Sequence, residues 1–340
     1  MISRTVQEPS KKEFDELDKK GRERGGIKGD LTDAQGRRYN EEKYGKMNIK
    51  KNVIPYDQNR VILKTPIMGS DHINATWLQR IKANDLYDDL YDFLPSTSMN
   101  IILTQTPTSD TRQHYLQLIN EQRIDVLINI GSDEDFPNWD RKSFGNISSE
   151  LIERIDVDDF IFQERIDVSA RHGKSIINHT TTVYNFTGWP SNDTLSEKDS
   201  KNLLTFINFV RREIGKPSKD FTMAVHDSDG GVGGAATFIV LHQMMQDVDS
   251  KILERDSGEE EIGSLNIFRT VDELRKQRAH MIETFSNYKF LFKTLSYYAS
   301  KRSTFDTGLT QNQDDEDSNI FTYYYETTEE AESQTIIYVN

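Results

Sequence analysis

An α+β domain with a largely antiparallel or mixed sheet is what this sequence predicts, on three observations. Apolar runs of strand length occur both singly and in a close cluster between 151 and 187. Apolar residues at helical spacing stand between and after those runs. A glycine-rich turn, residues 226–234, joins a strand-like run to a helix-like one.

The elements follow in order. Residues 1–45 are charge-dense and broken by Gly21, Gly25, Gly26, Gly29 and Gly36, so they read as a charged linker holding one short helix over Ser10 to Lys20. The body is expected over 46–302. Strands are expected at Met99–Thr104, Val126–Ile130, Leu151–Val157, Phe160–Val168, Ser175–Phe186 and Phe221–Val225, the third to fifth as antiparallel neighbours. Leu203, Phe206, Ile207, Val210 and Ile214 mark one face of a helix. Ser196 caps it, with Asp199 three residues on, and Gly215 and Pro217 stop it. Further helices are expected at Ala235–Met245, Ile267–Arg278 and Thr284–Ala299. Residues 303–340 are acidic, polar and poor in aliphatics, and are expected to be disordered.

Composition excludes several classes. With 340 residues and 35% apolar content, one domain of roughly 250–280 residues fits better than two. No run of about 18 apolar residues offers a membrane span, and the start lacks a signal-peptide core. Zero cysteines exclude disulfides, thiolate metal sites and cysteine nucleophiles. The formal charge is −14, and the stretch from Phe305 to Asn340 carries nine acids and no base. Such a chain lacks the basic face that nucleic acid requires. The seven histidines show no metal-ligand spacing, and no metal or cofactor is expected. Five Asn-x-Ser/Thr sequons are read as chance.

The densest chemical signal is His226-Asp227-Ser228-Asp229-Gly230-Gly231-Val232-Gly233-Gly234. A glycine-rich turn at a helix N-terminus aims several backbone N–H groups at one point and makes an anion cradle. Here the cradle begins with carboxylates, and no Lys or Arg occurs from His226 to Ser250. Asp227 reads either as a carboxylate held in the cradle in place of an anion or as a cap of the following helix. Either reading is compatible with a carboxyl titrating below its usual range.

Six ordered blocks carry a family resemblance: Asn52-Val53-Ile54-Pro55-Tyr56-Asp57 through Arg60-Val61; Ser70-Asp71-His72-Ile73-Asn74-Ala75; Thr104-Gln105-Thr106-Pro107; Phe186-Thr187-Gly188-Trp189-Pro190-Ser191; the turn after His226; and Arg275-Lys276-Gln277-Arg278 through Thr284. In this order they resemble the cysteine-dependent protein tyrosine phosphatases over about residues 48–300. The resemblance implies a phosphatase-like fold, a twisted mixed β-sheet flanked by helices.

That family uses a thiolate nucleophile, a phosphate-gripping Arg, a general acid on a mobile loop, a ring-gripping Tyr and a water-positioning Gln. By the resemblance, the thiolate position holds Asp227, and the Arg position holds Gly233, or Gly234 if one glycine is inserted. The acid position holds Ser191, beside Trp189 and Pro190, the ring-gripping position holds Lys50 and the water-positioning one Glu283. His226 is expected to hydrogen-bond beneath the loop. The resemblance therefore implies a catalytically dead domain, matching the second, inactive domain of receptor-type phosphatases. Gamma- and zeta-type receptors have the same Cys-to-Asp change.

The implied partners are proteins: an active phosphatase domain in cis or trans, a dimer partner, and SH2 adaptors reached through Tyr323, Tyr324, Tyr325 and Tyr338 of the tail. The implied location is the cytoplasmic side of the plasma membrane, with no membrane contact by this segment itself. A free-standing pseudophosphatase and a phosphotyrosine-binding trap stay as alternatives. So does a residual phosphatase using Asp227-Ser228-Asp229 as the D-x-D motif of haloacid-dehalogenase-type enzymes does.

Overall fold

A computed structural model describes residues 9–23, 47–50, 52–79, 99–132, 137–140, 142–190, 195–218, 220–256 and 266–306. Among these, nine strands form one sheet. They are β1 (Arg60–Ile67), β2 (Ser70–Leu78), β3 (Asn100–Gln105), β4 (Val126–Ile130), β5 (Lys142–Phe144), β6 (Ile147–Asp158), β7 (Ile161–His172), β8 (Ser175–Phe186) and β9 (Thr222–Asp227). Their spatial order is β1-β2-β3-β9-β4-β8-β7-β6-β5. The central strands β3, β9, β4 and β8 run parallel, while the flanking pairs are antiparallel.

The helices are α1 (Lys11–Glu23), α2 (Arg112–Glu121), α3 (Glu197–Ile214), α4 (Gly234–Asp256), α5 (Ile267–Gln277) and α6 (Phe285–Asp306). Alternation along the parallel strands divides their side chains between two cores. Val126, Ile128 and Ile130 join α3, α4 and α6 on one face. Leu127 joins Tyr115, Leu116 and Ile119 of α2 on the other. Strand β4, VLINI, is buried at every position and reads as a nearly continuous apolar run, which is why it occupies the expected residues. Strand β8 also occupies them, though it is exposed over residues 175–178 and buried mainly toward Phe186.

Helix α3 begins as its cap requires: the Ser196 hydroxyl accepts from Asp199 N at 3.2 Å, and the Asp199 carboxylate accepts from Ser196 N at 2.6 Å. Helices α4 and α6 extend beyond the expected ends at Met245 and Ala299. Just past those ends stand Asp249 of α4 and Arg302 of α6, buried and ion-paired with each other at 3.1 Å, which interrupt the apolar pattern while the helices continue.

The expected helix over Ser10 to Lys20 forms as α1, and it is docked on the body. Phe14 and Leu17 are buried in the main core, and Arg275 donates to Asp18 at 2.7 Å. Strands β1, β2 and β5 and helix α2 had no sequence expectation. Polar residues mask β2: Ser70, Asp71, His72, Asn74 and Thr76 are all buried. No helix of the described residues is long and apolar enough to cross a membrane. The tail is expected to be disordered from residue 303, but α6 continues to Asp306; the rest of the tail, with Tyr323, Tyr324, Tyr325 and Tyr338, lies outside the described residues.

Candidate functional site

Parallel strands β3, β9 and β4 end together, and the turn from β9 into α4 opens at that shared edge. Thr106 N donates to Asp227 O at 2.8 Å and fixes where the turn begins. Gly230 and Gly231 then take φ of 78° and 75°, a left-handed conformation that side chains disfavour. At Gly231 an added Cβ would also lie 2.5 Å from the Thr104 carbonyl oxygen.

The chain returns over the Asp227 carboxylate. Oδ1 accepts from Asp229 N at 3.0 Å and Gly231 N at 2.5 Å, and Oδ2 accepts from Ala235 N at 2.9 Å. The helix-terminal amide and two turn amides thus converge on this side chain, which is 3% exposed. Burial nonetheless dominates its titration. Desolvation raises the carboxyl to about 6, the amide donors pull it down, and Asp229 adds to the rise. A carboxyl below its usual range, which would have suited both readings of Asp227, is not what the fold produces: three neutral donors do not offset complete removal from water.

The absence of cations between 226 and 250 does not carry over into space. Arg278, fully buried, donates to Gly230 O at 2.5 Å, Asn74 Oδ1 at 2.7 Å and Thr76 Oγ1 at 2.8 Å. Burial lowers it to about 10, the Asp227 charge counteracts this, and it stays cationic at neutral pH. It braces the turn from the carbonyl side. The sequence reading did not assign it this role, and its only signal was its place in the 275–284 block.

Lys50 supplies a second cation at the mouth. Its ammonium pairs with the Glu283 carboxylate and lies 3.3 Å from Asp229 Oδ1. Burial opposes the charge on Lys50, yet its two carboxylate partners leave it titrating above the usual lysine value. Three residues from distant parts of the chain thus form one ion-paired cluster over the loop.

The other expected residues are placed as follows. His226 is buried, its Nδ1 lies 3.0 Å from Thr106 Oγ1 beneath the loop, and desolvation drives it down to about 3, so it is neutral. Val232 is buried, and its carbonyl accepts from Ile282 N at 3.0 Å and Glu283 N at 3.4 Å. Ser228 follows Asp227 at the turn and is partly exposed.

An added Cβ on Gly233 would lie 2.7 Å from Asp229 Oδ2, and one on Gly234 would lie 2.6 Å from Ile130 Cγ2 and 3.1 Å from the Trp189 ring. Neither position has free room for a side chain. Trp189, followed by Pro190, packs edge-on against Phe290 at 5.9 Å. Ser191 lies outside the described residues. Among the described residues no group of three His, Asp or Glu could hold a metal ion. The downstream lysine and acidic metal pair that an aspartate-nucleophile phosphatase requires do not gather at Asp227 among them.

A family model described as protein-tyrosine phosphatase matches residues 45–297. The chain belongs to the protein-tyrosine phosphatase family. Its mixed sheet between helices is that family's α+β fold, shared with a solved structure of PTPN18 in complex with HER2 phosphor-peptides. The TM-score is 0.61 at 19% identity, over 84% of this chain and 92% of that one. Among curated relatives, human receptor-type tyrosine-protein phosphatase alpha is 27% identical over 266 residues, covering 74% of this chain and 29% of its own. Human receptor-type phosphatase epsilon is 28% identical over 259 residues, covering 72% and 32%. Chicken receptor-type phosphatase eta is 22% identical over 290 residues, covering 82% and 18%. The phosphatase-like chain thus spans less than a third of the length of each of these relatives.

Proposed function

We propose that this phosphatase-family domain is catalytically inactive and serves as a regulatory, protein-binding module in phosphotyrosine signalling. On this reading it is the second, membrane-distal domain of a receptor-type phosphatase, at the cytoplasmic face of the plasma membrane. The observation that carries the proposal is the Asp227 carboxylate, seated among the amides of Asp229, Gly231 and Ala235 where the family binds a phosphoryl group.

Physical magnitudes support it. An anion entering the cradle would meet a carboxylate at roughly 4 Å and be repelled by about 4 kcal/mol per charge pair at an effective dielectric near 20. No guanidinium stands at Gly233 or Gly234 to repay that with bidentate hydrogen bonds. Asp227 is a poor nucleophile here, because both its oxygens already accept amide hydrogens. The Lys50–Glu283 pair lies over the mouth, which argues against a phosphotyrosine trap as well. Partners in this role are an active phosphatase domain in cis or trans, a dimer partner, and SH2 adaptors reading the tail tyrosines.

The test is an aryl phosphate assay joined to calorimetry with a phosphotyrosine peptide. The expected result is neither turnover nor binding heat, with Asp227→Cys alone leaving turnover undetectable. Hydrolysis at an ordinary family rate, abolished by Asp227→Asn, would overturn the proposal.

A further inference from the structure

The turn that follows α5 is strained. His280 has φ of 64° and Ile282 has φ of 58°, and Ile282 is β-branched. A β-branched residue in the left-handed region is a genuine outlier, and such backbone persists only where its surroundings over-determine it. Here one side chain grips two carbonyls of the turn. The Arg275 guanidinium donates through Nε to Met281 O at 2.8 Å and through NH2 to Ile282 O at 2.8 Å.

The remaining arm of Arg275 leaves the turn. NH1 donates to Asp18 Oδ1 of α1 at 2.7 Å, and the guanidinium lies 5.4 Å from the Phe14 ring centre. Phe14 and Leu17 seat α1 in the main core, while Lys20 lies 3.9 Å from Asp272 of α5. On its other side the strained turn feeds the glycine-rich loop. Ile282 N and Glu283 N both donate to the Val232 carbonyl, and the Glu283 carboxylate holds Lys50.

We propose that α1 is a strap. By clamping Arg275 through Asp18 and Phe14 it holds the 280–283 turn in its strained form, and through that turn it fixes the loop carrying Asp227. Undocking α1 frees Arg275, lets His280 and Ile282 relax toward ordinary backbone, and withdraws the two amides from Val232. A helix at the front of the domain would then pass its docked or undocked state to the former phosphate loop. The inference concerns mechanical coupling only and stands whether or not the loop retains chemistry. Arg278 braces Gly230 independently of α1, so the loop loosens without the domain unfolding.

Residue-resolved hydrogen–deuterium exchange on the full 340-residue chain tests this. In Asp18→Ala the amides of Ile282, Glu283, Gly231 and Ala235 are expected to exchange at least about tenfold faster, with β7 and β8 amides unchanged. Asp18→Glu should recover part of that protection. Asp15→Ala, which breaks the exposed Lys11–Asp15 pair on the same helix, should leave the loop as it is. Unchanged loop exchange in Asp18→Ala would overturn the strap. An equal rise in loop and sheet would overturn it too, since α1 would then support the whole body rather than the loop.

Discussion

The Lys50 ammonium stands 3.3 Å from Asp229 Oδ1 while it pairs with Glu283, so one cation ties the glycine-rich loop to the strained turn after α5. All three positions are partly exposed, which keeps the electrostatic gain modest and sensitive to salt. Lys50→Ala should lower stability by roughly 0.2–1 kcal/mol in low salt. That loss should shrink in molar salt, as read by urea unfolding at both ionic strengths. A loss independent of salt would mean that Lys50 acts by packing alone.

The buried groups make a prediction about pH. Asp227 titrates at about 6 in the fold against an ordinary carboxyl value of 3.8. Its contribution is therefore fully present below about pH 4 and is lost as pH rises through about 6. His226 and His72 both fall from 6.5 to about 3 in the fold. Their contribution is present above pH 6.5 and is lost as pH falls toward 3. Between pH 4 and 6 the two histidines outweigh the one carboxyl, so these three groups together make stability rise with pH. Asp227→Asn removes the opposing slope, and its stability should climb more steeply over that window in urea titrations. A slope equal to that of the unmutated chain would place the Asp227 carboxyl near its ordinary value.

Gly231 makes the sharpest prediction about the loop itself. Its φ of 75° and the 2.5 Å approach of the Thr104 carbonyl oxygen to an added Cβ act together. Gly231→Ala should cost about 2 kcal/mol or more. Gly173, with φ of 63° but nothing within 4 Å, isolates the backbone part. Gly173→Ala should cost about 1 kcal/mol. Thermal unfolding of the two variants separates contact from conformation, and equal losses would refute the close approach.

The cap of α3 is a local test of the same chain. Ser196 and Asp199 exchange hydrogen bonds at the helix start, and Ser196→Ala should lower stability by about 1 kcal/mol. Asp199→Asn should cost less, because the Ser196 hydroxyl still accepts from the backbone. Denaturant midpoints for the pair provide the check.

Local sequence determined those parts whose cause is local. The Ser196 cap, the Gly215 stop, the apolar run of β4 and the turn glycines 230 and 231 each follow from neighbours a few residues away. The fold class and the place of the candidate site were legible from those alone, together with the order of the motif blocks. Tertiary structure decided whatever depends on groups brought from afar. Strand β2 is buried with its polar residues because Arg60 meets Asp71 and Arg278 meets Asn74 and Thr76. The two cations at the loop come from positions 50 and 278, so a window from 226 to 250 holds neither. The Asp227 carboxyl rises because desolvation scales with burial on every side, and no linear reading of its neighbours measures that.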